Sequence, residues 1–310
     1  MRILFLGTAE FACPSLEALL ASPHELLGVI TQPDRPRGRG QKLVPSPVKS
    51  LALKTNLPIY QPEKLRDPSF LKVLEPLRPD LMVVVAYGQI LSAAVLSIPP
   101  KGCVNVHGSL LPKYRGAAPI VRAILGGESW TGVATMFMDP GMDTGPILLT
   151  EETGIGEEDT AGTLHDRLSQ IGARLLLRTL ENLERGTLTP RPQDHSQATY
   201  APKIEKEEAR INWNAPARQI FNLIRGFDPW PGASTSWAGR VLKLFRPRFE
   251  ENESRESPGT IVQASKDGLG IATSHGCLLI REVQMENRPR MRVAEFLKGY
   301  PLQIGVRLGE

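Results

Sequence analysis

Short apolar runs alternate with amphipathic stretches from the first residue to about residue 189. Four runs are apolar at nearly every position, which is typical of strands buried on both faces of a sheet. They are Ile3 to Gly7, Leu26 to Thr31, Leu81 to Ala86 and Val104 to His107. The stretches between them place apolar residues at helical spacing, as in Pro47 to Asn56. The alternation predicts an α/β fold with a doubly wound, mainly parallel Rossmann-like sheet.

The rest of the chain shows three further patterns. Thr160 to Glu184 carries leucines at helical spacing, which predicts a long helix with one buried face. Residues 190–203 are rich in proline and polar residues without an apolar period, which indicates a linker. Short strand-like runs separated by turn signals follow, and they favour a small OB-like β-barrel. We therefore predict a first domain over 1–189, a linker over 190–203 and a C-terminal barrel domain over 204–310.

Composition excludes several classes of protein. With 310 residues, of which 41% are hydrophobic, the chain can bury two cores, and disorder is excluded as its main state. Cys13, Cys103 and Cys277 are far apart and form no CxxC pair, so we expect neither a disulfide framework nor a metal site. The longest strongly apolar run, Leu81 to Tyr87, is far below the roughly 20 residues that span a bilayer. The first residues show no signal-peptide pattern, and we expect a cytoplasmic protein without a membrane segment.

Positive charge is concentrated in two regions. Residues 203–310 hold 17 basic and 13 acidic side chains and so account for the whole net charge of +4. Between Thr31 and Lys49 one acid, Asp34, stands against five basic residues, which are Arg35, Arg37, Arg39, Lys42 and Lys49. A polyanion is the natural partner of such a loop, although a solvated flexible loop explains the charge equally well. The basic residues of the C-terminal domain, including Lys243 and Arg246, could likewise form a nucleic-acid-binding face or a plain solvated surface.

The candidate chemistry starts at the end of a predicted strand. Asn105 and His107 are two residues apart, so both side chains project from one face of that strand. A second polar element follows the strand-like run Val133 to Met138 and contains Asp143 between two glycines. If both segments end at the same edge of the sheet, the carboxylate can approach the imidazole and stabilise its positive charge. Structural hydrogen bonding to neighbouring loops is the alternative role for the amide and the imidazole.

An amide, an imidazole and a carboxylate together suit acyl transfer. The amide can hold a carbonyl oxygen while negative charge develops on it, and the imidazole can donate a proton. The acid can orient the imidazole or relay protons from an attacking amine. No strong nucleophile is present in this set, which favours direct transfer through a tetrahedral intermediate. The sequence contains neither GxGxxG nor GxxxxGK[ST], so we expect neither a bound dinucleotide nor ATP.

These segments carry a resemblance to a known family. Asn105 to Ile120, with Asp143-Thr144-Gly145 downstream, resembles the formyltetrahydrofolate-dependent formyltransferases. The similarity runs from residue 1 to about residue 300. Four further segments fit the family, namely Gln32 to Pro36 with Gly38 to Gly40, Pro45 to Lys49, Val83 to Gly88 and Lys206 to Ile211.

The resemblance implies an activity and a set of site residues. It implies transfer of the formyl group of 10-formyltetrahydrofolate to the amino group of methionine on initiator tRNA, for translation initiation, by a monomer. Asn105, His107 and Asp143 would be the catalytic trio. The folate site would be lined by Ser109, Leu110, Leu111 and Pro112 and by Ala86, Tyr87, Gly88 and Ile90. The loop from Pro33 to Pro47, with Arg35, Arg37, Arg39 and Lys42, would grip the acceptor arm of the tRNA, and the C-terminal barrel, with Lys243 and Arg246, would hold its outer flank.

Two alternatives remain open at this point. The same trio could formylate a sugar nucleotide or another small amine, or pass the formyl group to water, and the basic loop argues against these because a small acceptor does not need it. A non-catalytic RNA-binding protein on a degenerate transferase fold is the second alternative, and the intact trio argues against it.

Overall fold

The computed structural model describes residues 1–37, 42–250 and 255–309. Its strands, in chain order, are β1 (Arg2–Gly7), β2 (Glu25–Ile30), β3 (Arg35–Arg37), β4 (Lys42–Val44), β5 (Ile59–Tyr60), β6 (Leu81–Val85), β7 (Cys103–His107), β8 (Arg115–Gly116), β9 (Trp130–Phe137), β10 (Ile147–Gly154), β11 (Tyr200–Ala201), β12 (Ser234–Trp237), β13 (Arg240–Glu250), β14 (Ile261–Ser265), β15 (Gly268–Ala272), β16 (Cys277–Met285) and β17 (Met291–Arg292). Its α-helices are α1 (Cys13–Leu20), α2 (Pro47–Lys54), α3 (Pro68–Leu74), α4 (Ala93–Leu96), α5 (Pro119–Leu125), α6 (Ala161–Glu184), α7 (Ala217–Gly226) and α8 (Val293–Gly299).

The chain forms two compact units. Unit 1 consists of Met1–Pro119, Trp130–Gly154 and His165–Ala201, and unit 2 consists of Ile120–Ser129, Ile155–Leu164 and Pro202–Glu310. Unit 2 thus includes two short segments that interrupt unit 1 along the chain. The boundaries at residues 189 and 203 stay predictions.

Unit 1 is built on a seven-stranded sheet with the order β10-β9-β7-β6-β1-β2-β5. The four pairs from β5 to β7 are parallel, whereas β9 is antiparallel to both β7 and β10. Strands β1 and β6 are buried nearly throughout, which explains their continuous apolar sequences. The predicted α/β class with a large, mainly parallel sheet is confirmed. Strand order reverses between β1 and β6, and in such sheets ligands bind beyond the carboxyl ends of the strands at this point.

Helix α6 confirms the predicted helix in its extent and in its buried leucines. Its Thr179 also closes a small buried polar network with the sheet. Thr179 Oγ1 and Thr135 Oγ1 are 2.8 Å apart, and Thr135 Oγ1 accepts a hydrogen bond from the amide of Leu149 at 3.1 Å. Both threonines are fully buried, and each has hydrogen-bond partners.

Unit 2 contains an antiparallel sheet with the order β12-β13-β16-β15-β14, and β17 pairs with β16. Its core includes α7 and α8. The strand-like runs of the sequence correspond to β13, β14, β15 and β16, whereas β12 and β17 were not predicted. The OB-like barrel is not confirmed, because within the described ranges no pairing joins the edge strands β12 and β14. The edge of β14 pairs instead with the C-terminal segment, since Ile261 donates to the Val306 carbonyl and accepts from the Gly305 amide, both at 2.8 Å. The sheet therefore stays open.

The described residues lack both a membrane-spanning helix and a cluster of metal ligands. No helix there is both long enough and apolar enough to cross a membrane. The same residues contain no group of three or more metal-ligating side chains.

Candidate active site

Strand β7 carries the amide and the imidazole to the carboxyl edge of the sheet. It lies between β6 and β9, and Asn105 and His107 occupy its third and last positions. His107 is 7% exposed, so the polar pair lies in a largely buried environment. Because the two residues are separated by one position, the strand geometry places them on one face as predicted.

The side-chain amide of Asn105 has a hydrogen-bond partner at its nitrogen but none at its oxygen among the described residues. Its Nδ2 donates to the carbonyl of Val84 at 3.2 Å, which fixes the orientation of the amide. Its Oδ1 is buried and has no hydrogen-bond partner among the described residues. An unpartnered buried acceptor costs about 1–3 kcal/mol. A side chain that carries this cost inside a strand is better explained by function than by packing.

The imidazole of His107 lies between a carbonyl and a carboxylate. Nε2 is 3.0 Å from the carbonyl oxygen of Tyr114, and since a carbonyl only accepts, Nε2 carries a hydrogen. Nδ1 is 3.7 Å from Oδ2 of Asp143, which is too long for a hydrogen bond but close enough for a counter-charge. The Nδ1 edge is therefore the edge left for substrate, and it can donate to a substrate oxygen only when Nδ1 carries a hydrogen as well.

The loop after β9 places Asp143 by two backbone devices. Asp143 has a φ of 54°, in the left-handed region that aspartate tolerates better than most residues. Its Oδ2 accepts a hydrogen bond from the Gly116 amide at 2.7 Å. Gly116 has a φ of 119°, and a Cβ there would lie 2.8 Å from the carbonyl oxygen of Ala201. Only glycine brings this amide so close to its neighbours, and the amide holds the carboxylate beside His107.

The structure therefore brings the three predicted residues together. Asn105 and His107 share a strand face, and Asp143 reaches His107 from the loop after β9. The two segments do not end at the same edge of the sheet, because β9 is antiparallel to β7 and its last residue, Phe137, pairs with Val104. Their catalytic roles stay a prediction.

The segment after β6 contains the residues Ala86, Tyr87, Gly88 and Ile90, which the family resemblance assigns to the folate site. Ala86 and Gly88 both have positive φ, so the chain turns sharply as it leaves the strand. Tyr87 is 2% exposed, its hydroxyl has no hydrogen-bond partner among the described residues, and burial raises its pKa to about 12. Ile90 is 81% exposed, so it presents an apolar surface to solvent. The hydroxyl of Thr8, in the loop after β1, donates to the Tyr87 carbonyl and joins the two loops at the switch point.

The second predicted folate segment, Ser109 to Pro112, includes two side chains that are buried in the protein. The Ser109 hydroxyl donates to the Lys113 carbonyl at 2.7 Å and is fully buried. Leu111 packs in an apolar cluster with residues of β9 and β10, while Leu110 is partly exposed. The segment is thus firmly held beside the trio, and its contact with folate stays a prediction.

The basic loop forms a hairpin of β3 and β4, and Arg35 is exposed at its start. Strands β3 and β4 include Arg37 and Lys42, and Arg39 lies outside the described residues. At the base of the hairpin, Lys49 Nζ donates to Asp34 at 2.6 Å, which holds the pKa of the Asp34 carboxyl below its usual value. Lys49 is therefore neutralised locally.

The two basic residues predicted to act from the C-terminal domain both lie on β13 and both have protein partners. Lys243 is partly buried and donates to the Pro231 carbonyl at 2.6 Å. Arg246 is exposed and pairs with Glu282 at 3.2 Å. A role of either residue in binding tRNA stays a prediction.

Sequence reasoning missed two buried residues that support the trio. Arg115 is 2% exposed and donates from Nε and Nη2 to Gln193 Oε1 at 3.1 and 2.6 Å. Gln193 Nε2 donates to the carbonyls of Asp143 and Gly145 at 2.9 and 2.7 Å. Arg115 lies inside the motif that carries the resemblance, whereas Gln193 lies in a proline-rich stretch that offers no signal.

The chain is similar to known proteins over its whole length. Residues 1–180 match the family described as formyl transferase, and residues 203–301 match the formyl transferase C-terminal domain. A methionyl-tRNA formyltransferase of Trichlorobacter lovleyi is 51% identical over 307 residues, which cover 99% of this chain and 96% of that protein.

Solved structures share the fold at lower identity. A methionyl-tRNA formyltransferase from Clostridium thermocellum aligns with a TM-score of 0.58 and 14% identity, over 92% of this chain and 98% of that chain. HypX from Aquifex aeolicus, solved in complex with tetrahydrofolic acid, aligns with a TM-score of 0.66 and 21% identity. That alignment covers 100% of this chain and 51% of HypX, so the chain spans about half the length of HypX. From the two domain matches and the full-length identity, the chain belongs to the methionyl-tRNA formyltransferase family.

Proposed function

We propose that this chain transfers the formyl group of 10-formyltetrahydrofolate to the α-amino group of methionine on initiator tRNA, giving N-formylmethionyl-tRNA and tetrahydrofolate. The observation that carries the proposal is the meeting of Asn105, His107 and Asp143 at the carboxyl edge of the sheet, beside the switch point. Full-length identity to methionyl-tRNA formyltransferases supports the choice of acceptor. We further propose that the enzyme acts as a monomer in the cytoplasm.

The proposed reaction is a direct displacement at the formyl carbon. The neutral amine attacks this carbon with its lone pair, a carbon–nitrogen bond forms, and the carbonyl electron pair moves to oxygen. The second Nδ2 hydrogen of Asn105 and the Nδ1 edge of His107 are the groups that would stabilise the oxyanion. Collapse of the intermediate breaks the bond between the formyl carbon and N10 of the folate. N10 takes up one proton, and the former amine releases one.

Asp143 would act through charge. A carboxylate 3.7 Å from Nδ1 stabilises positive charge on the ring while the ring faces the developing oxyanion. A covalent acyl-enzyme is disfavoured at the thiol of β7, because burial raises the pKa of Cys103 to about 12 and keeps its sulfur protonated.

The basic hairpin supports a polyanionic acceptor over a small amine or water. Arg35 is exposed there, while the neighbouring Lys49 is neutralised by Asp34. Contacts of exposed cations with phosphates release counterions and so weaken as salt rises.

Incubation of the purified protein with methionyl initiator tRNA and 10-formyltetrahydrofolate tests the proposal, with N-formylmethionine on the tRNA as the readout. His107→Ala and Asp143→Asn should each lower turnover at least a hundredfold and leave the fold intact. His165→Ala, on the partly exposed histidine of α6, serves as the control and should retain turnover. Absence of product with the unaltered protein would refute the function, and near-normal turnover of either site variant would remove that residue from the mechanism.

A further inference from the structure

Residues 191–201 run back along the loops of the candidate site, and we call this segment the strap. At its start, Arg191 and Ile147 exchange two backbone hydrogen bonds of 2.8 Å. Further along, Thr199 accepts from the Arg115 amide through its carbonyl at 2.9 Å and from the Tyr114 amide through its hydroxyl at 2.9 Å. The strap therefore joins the loop that contacts His107 to the strand that follows Asp143.

Gln193 is the strap residue that reaches the Asp143 loop. Its side chain is buried, and its amide nitrogen donates to two carbonyls, of Asp143 at 2.9 Å and of Gly145 at 2.7 Å. Its amide oxygen accepts two hydrogen bonds from Arg115. A carboxamide has two hydrogens to donate and two lone pairs to accept with, and all four are used here. No other side chain of this length offers two donors beside an acceptor.

Arg115 explains why the amide keeps this orientation. Its guanidinium is buried, and among the ion pairs of the described residues none includes it. Its positive charge faces the Gln193 oxygen and the Nδ1 atom of His195, which lies 3.2 Å from Nη2. A cation at the oxygen end of an amide fixes the amide against rotation and polarises its N–H groups, so they donate more strongly.

The bonds from Gln193 act on the backbone of a residue that needs support. The backbone of Asp143 lies in the left-handed region. Gly145, two residues further on, could not carry a Cβ without a clash with the Phe137 carbonyl. Gln193 binds the carbonyls on both sides of Thr144, while the Gly116 amide binds the carboxylate. The carboxylate and its own backbone are thus held independently.

We propose that Gln193, oriented by Arg115, is a positioning residue that keeps the Asp143 carboxylate facing His107. The proposal rests on the proposed function, because it assigns Gln193 a part in the same reaction. Loss of the two donated bonds would free the loop at Asp143, and a displacement of about 1 Å in such a group can cost about a hundredfold in rate.

The test is a double-mutant cycle between Gln193→Glu and Asp143→Asn. Glutamate has the length of glutamine and can still accept from Arg115, but it turns two donated bonds into contacts between oxygens. We expect Gln193→Glu to lower kcat about tenfold to a hundredfold with KM for both substrates changed less than threefold. In the Asp143→Asn background the same change should cost less than threefold, because the group that Gln193 positions is already lost.

A matched control distinguishes the place of the substitution from the change of glutamine to glutamate itself. Gln197→Glu makes the same change in an exposed strap residue whose amide binds Asp194 and not the Asp143 loop, and it should leave kcat within twofold. An equal loss for Gln193→Glu in both backgrounds would overturn the proposal, since it would show an effect independent of Asp143. So would a loss of less than twofold in the otherwise unaltered protein.

Two outcomes distinguish this proposal from the function on which it rests. If the unaltered protein forms no formylmethionyl-tRNA, the function fails. If it turns over and Asp143→Asn impairs it while Gln193→Glu does not, only the role of Gln193 fails. Should Gln193→Glu not fold, Gln193→Met takes its place in the cycle, since it removes the amide without adding charge. Failure of both to fold would overturn the proposal by assigning Gln193 to the stability of unit 1.

Discussion

Replacement of Asn105 by valine should separate function from stability at one residue. The side chain contributes one hydrogen bond, from Nδ2 to Val84 at 3.2 Å, which is worth about 0.5–1.5 kcal/mol net. It also carries an unpartnered buried acceptor, Oδ1, which costs about 1–3 kcal/mol. Valine removes both, and it fits a strand whose adjacent positions are Val104 and Val106. The free energy of unfolding should therefore change by between about −0.5 and +2.5 kcal/mol.

Turnover of Asn105→Val should fall sharply, although stability changes little or rises. The amide is proposed to hold the formyl oxygen as it becomes negative, and removal of one such donor costs about a hundredfold to a thousandfold in kcat. Urea denaturation of unaltered protein and Asn105→Val, followed by circular dichroism, gives the first quantity. Formylation of methionyl-tRNA under saturating substrates gives the second.

Thr135→Val provides the matched control on the neighbouring strand β9. Thr135 is a buried polar residue whose hydroxyl is fully engaged with Leu149 and Thr179, so its loss leaves buried partners unsatisfied. This variant should be destabilised by about 1–3 kcal/mol and retain kcat within threefold. Unchanged turnover of Asn105→Val would refute the role of the amide in the reaction. A larger destabilisation of Asn105→Val than of Thr135→Val would refute the cost assigned to the unpartnered oxygen.

Three further predictions concern the loop geometry, the basic hairpin and acid stability. Gly116→Ala, whose Cβ would meet the Ala201 carbonyl at 2.8 Å, should displace the amide that binds the carboxylate and lower kcat about tenfold or more, and unchanged kinetics would contradict this. Arg39→Ala and Lys42→Ala should raise KM for tRNA, more weakly at high salt, and leave KM for folate unchanged; an equal loss of folate affinity would count against the assignment. Glu208 has a lowered pKa because an arginine donates to its side chain, so its contribution is present above the usual value of 4.5 and lost as pH falls through the folded value. Glu208→Gln should therefore be less stable at pH 7, and its deficit in urea titrations should vanish in acid.

The strands of unit 1 could be predicted because burial on both faces leaves a continuous apolar run. The run Leu81 to Ala86 became β6 with one residue fewer, and Thr160 to Glu184 became α6 with the same last residue. Closure of a barrel could not be predicted in this way. It depends on what pairs with the edge strands, and the edge of β14 is occupied by residues near Val306 that show no strand pattern.

The candidate site also has features that the sequence predicts and features that it does not. Asn105 and His107 share a face because of their spacing, and this could be inferred from sequence. The approach of Asp143 could not, because β9 is antiparallel to β7 and ends beside Val104, and only the folded path of the following loop returns the carboxylate to His107. The role of Gln193 could not be inferred. Its two bonds go to backbone carbonyls about 50 residues earlier, which any residue would supply, and only the folded path of the strap brings them within reach.

The alternation of the chain between its two units has a consequence for synthesis on the ribosome. The polypeptide passes from one unit to the other five times, so no single cut separates them and neither is complete when the first half has emerged. All residues of unit 1 have been synthesised once Ala201 is added. The segment 120–129 belongs to unit 2, however, and most of unit 2 is synthesised after Ala201. Ile124, which is fully buried in the folded protein, belongs to the segment 120–129. A nascent chain stalled near residue 201 should therefore expose an apolar patch and bind a chaperone that full-length protein does not.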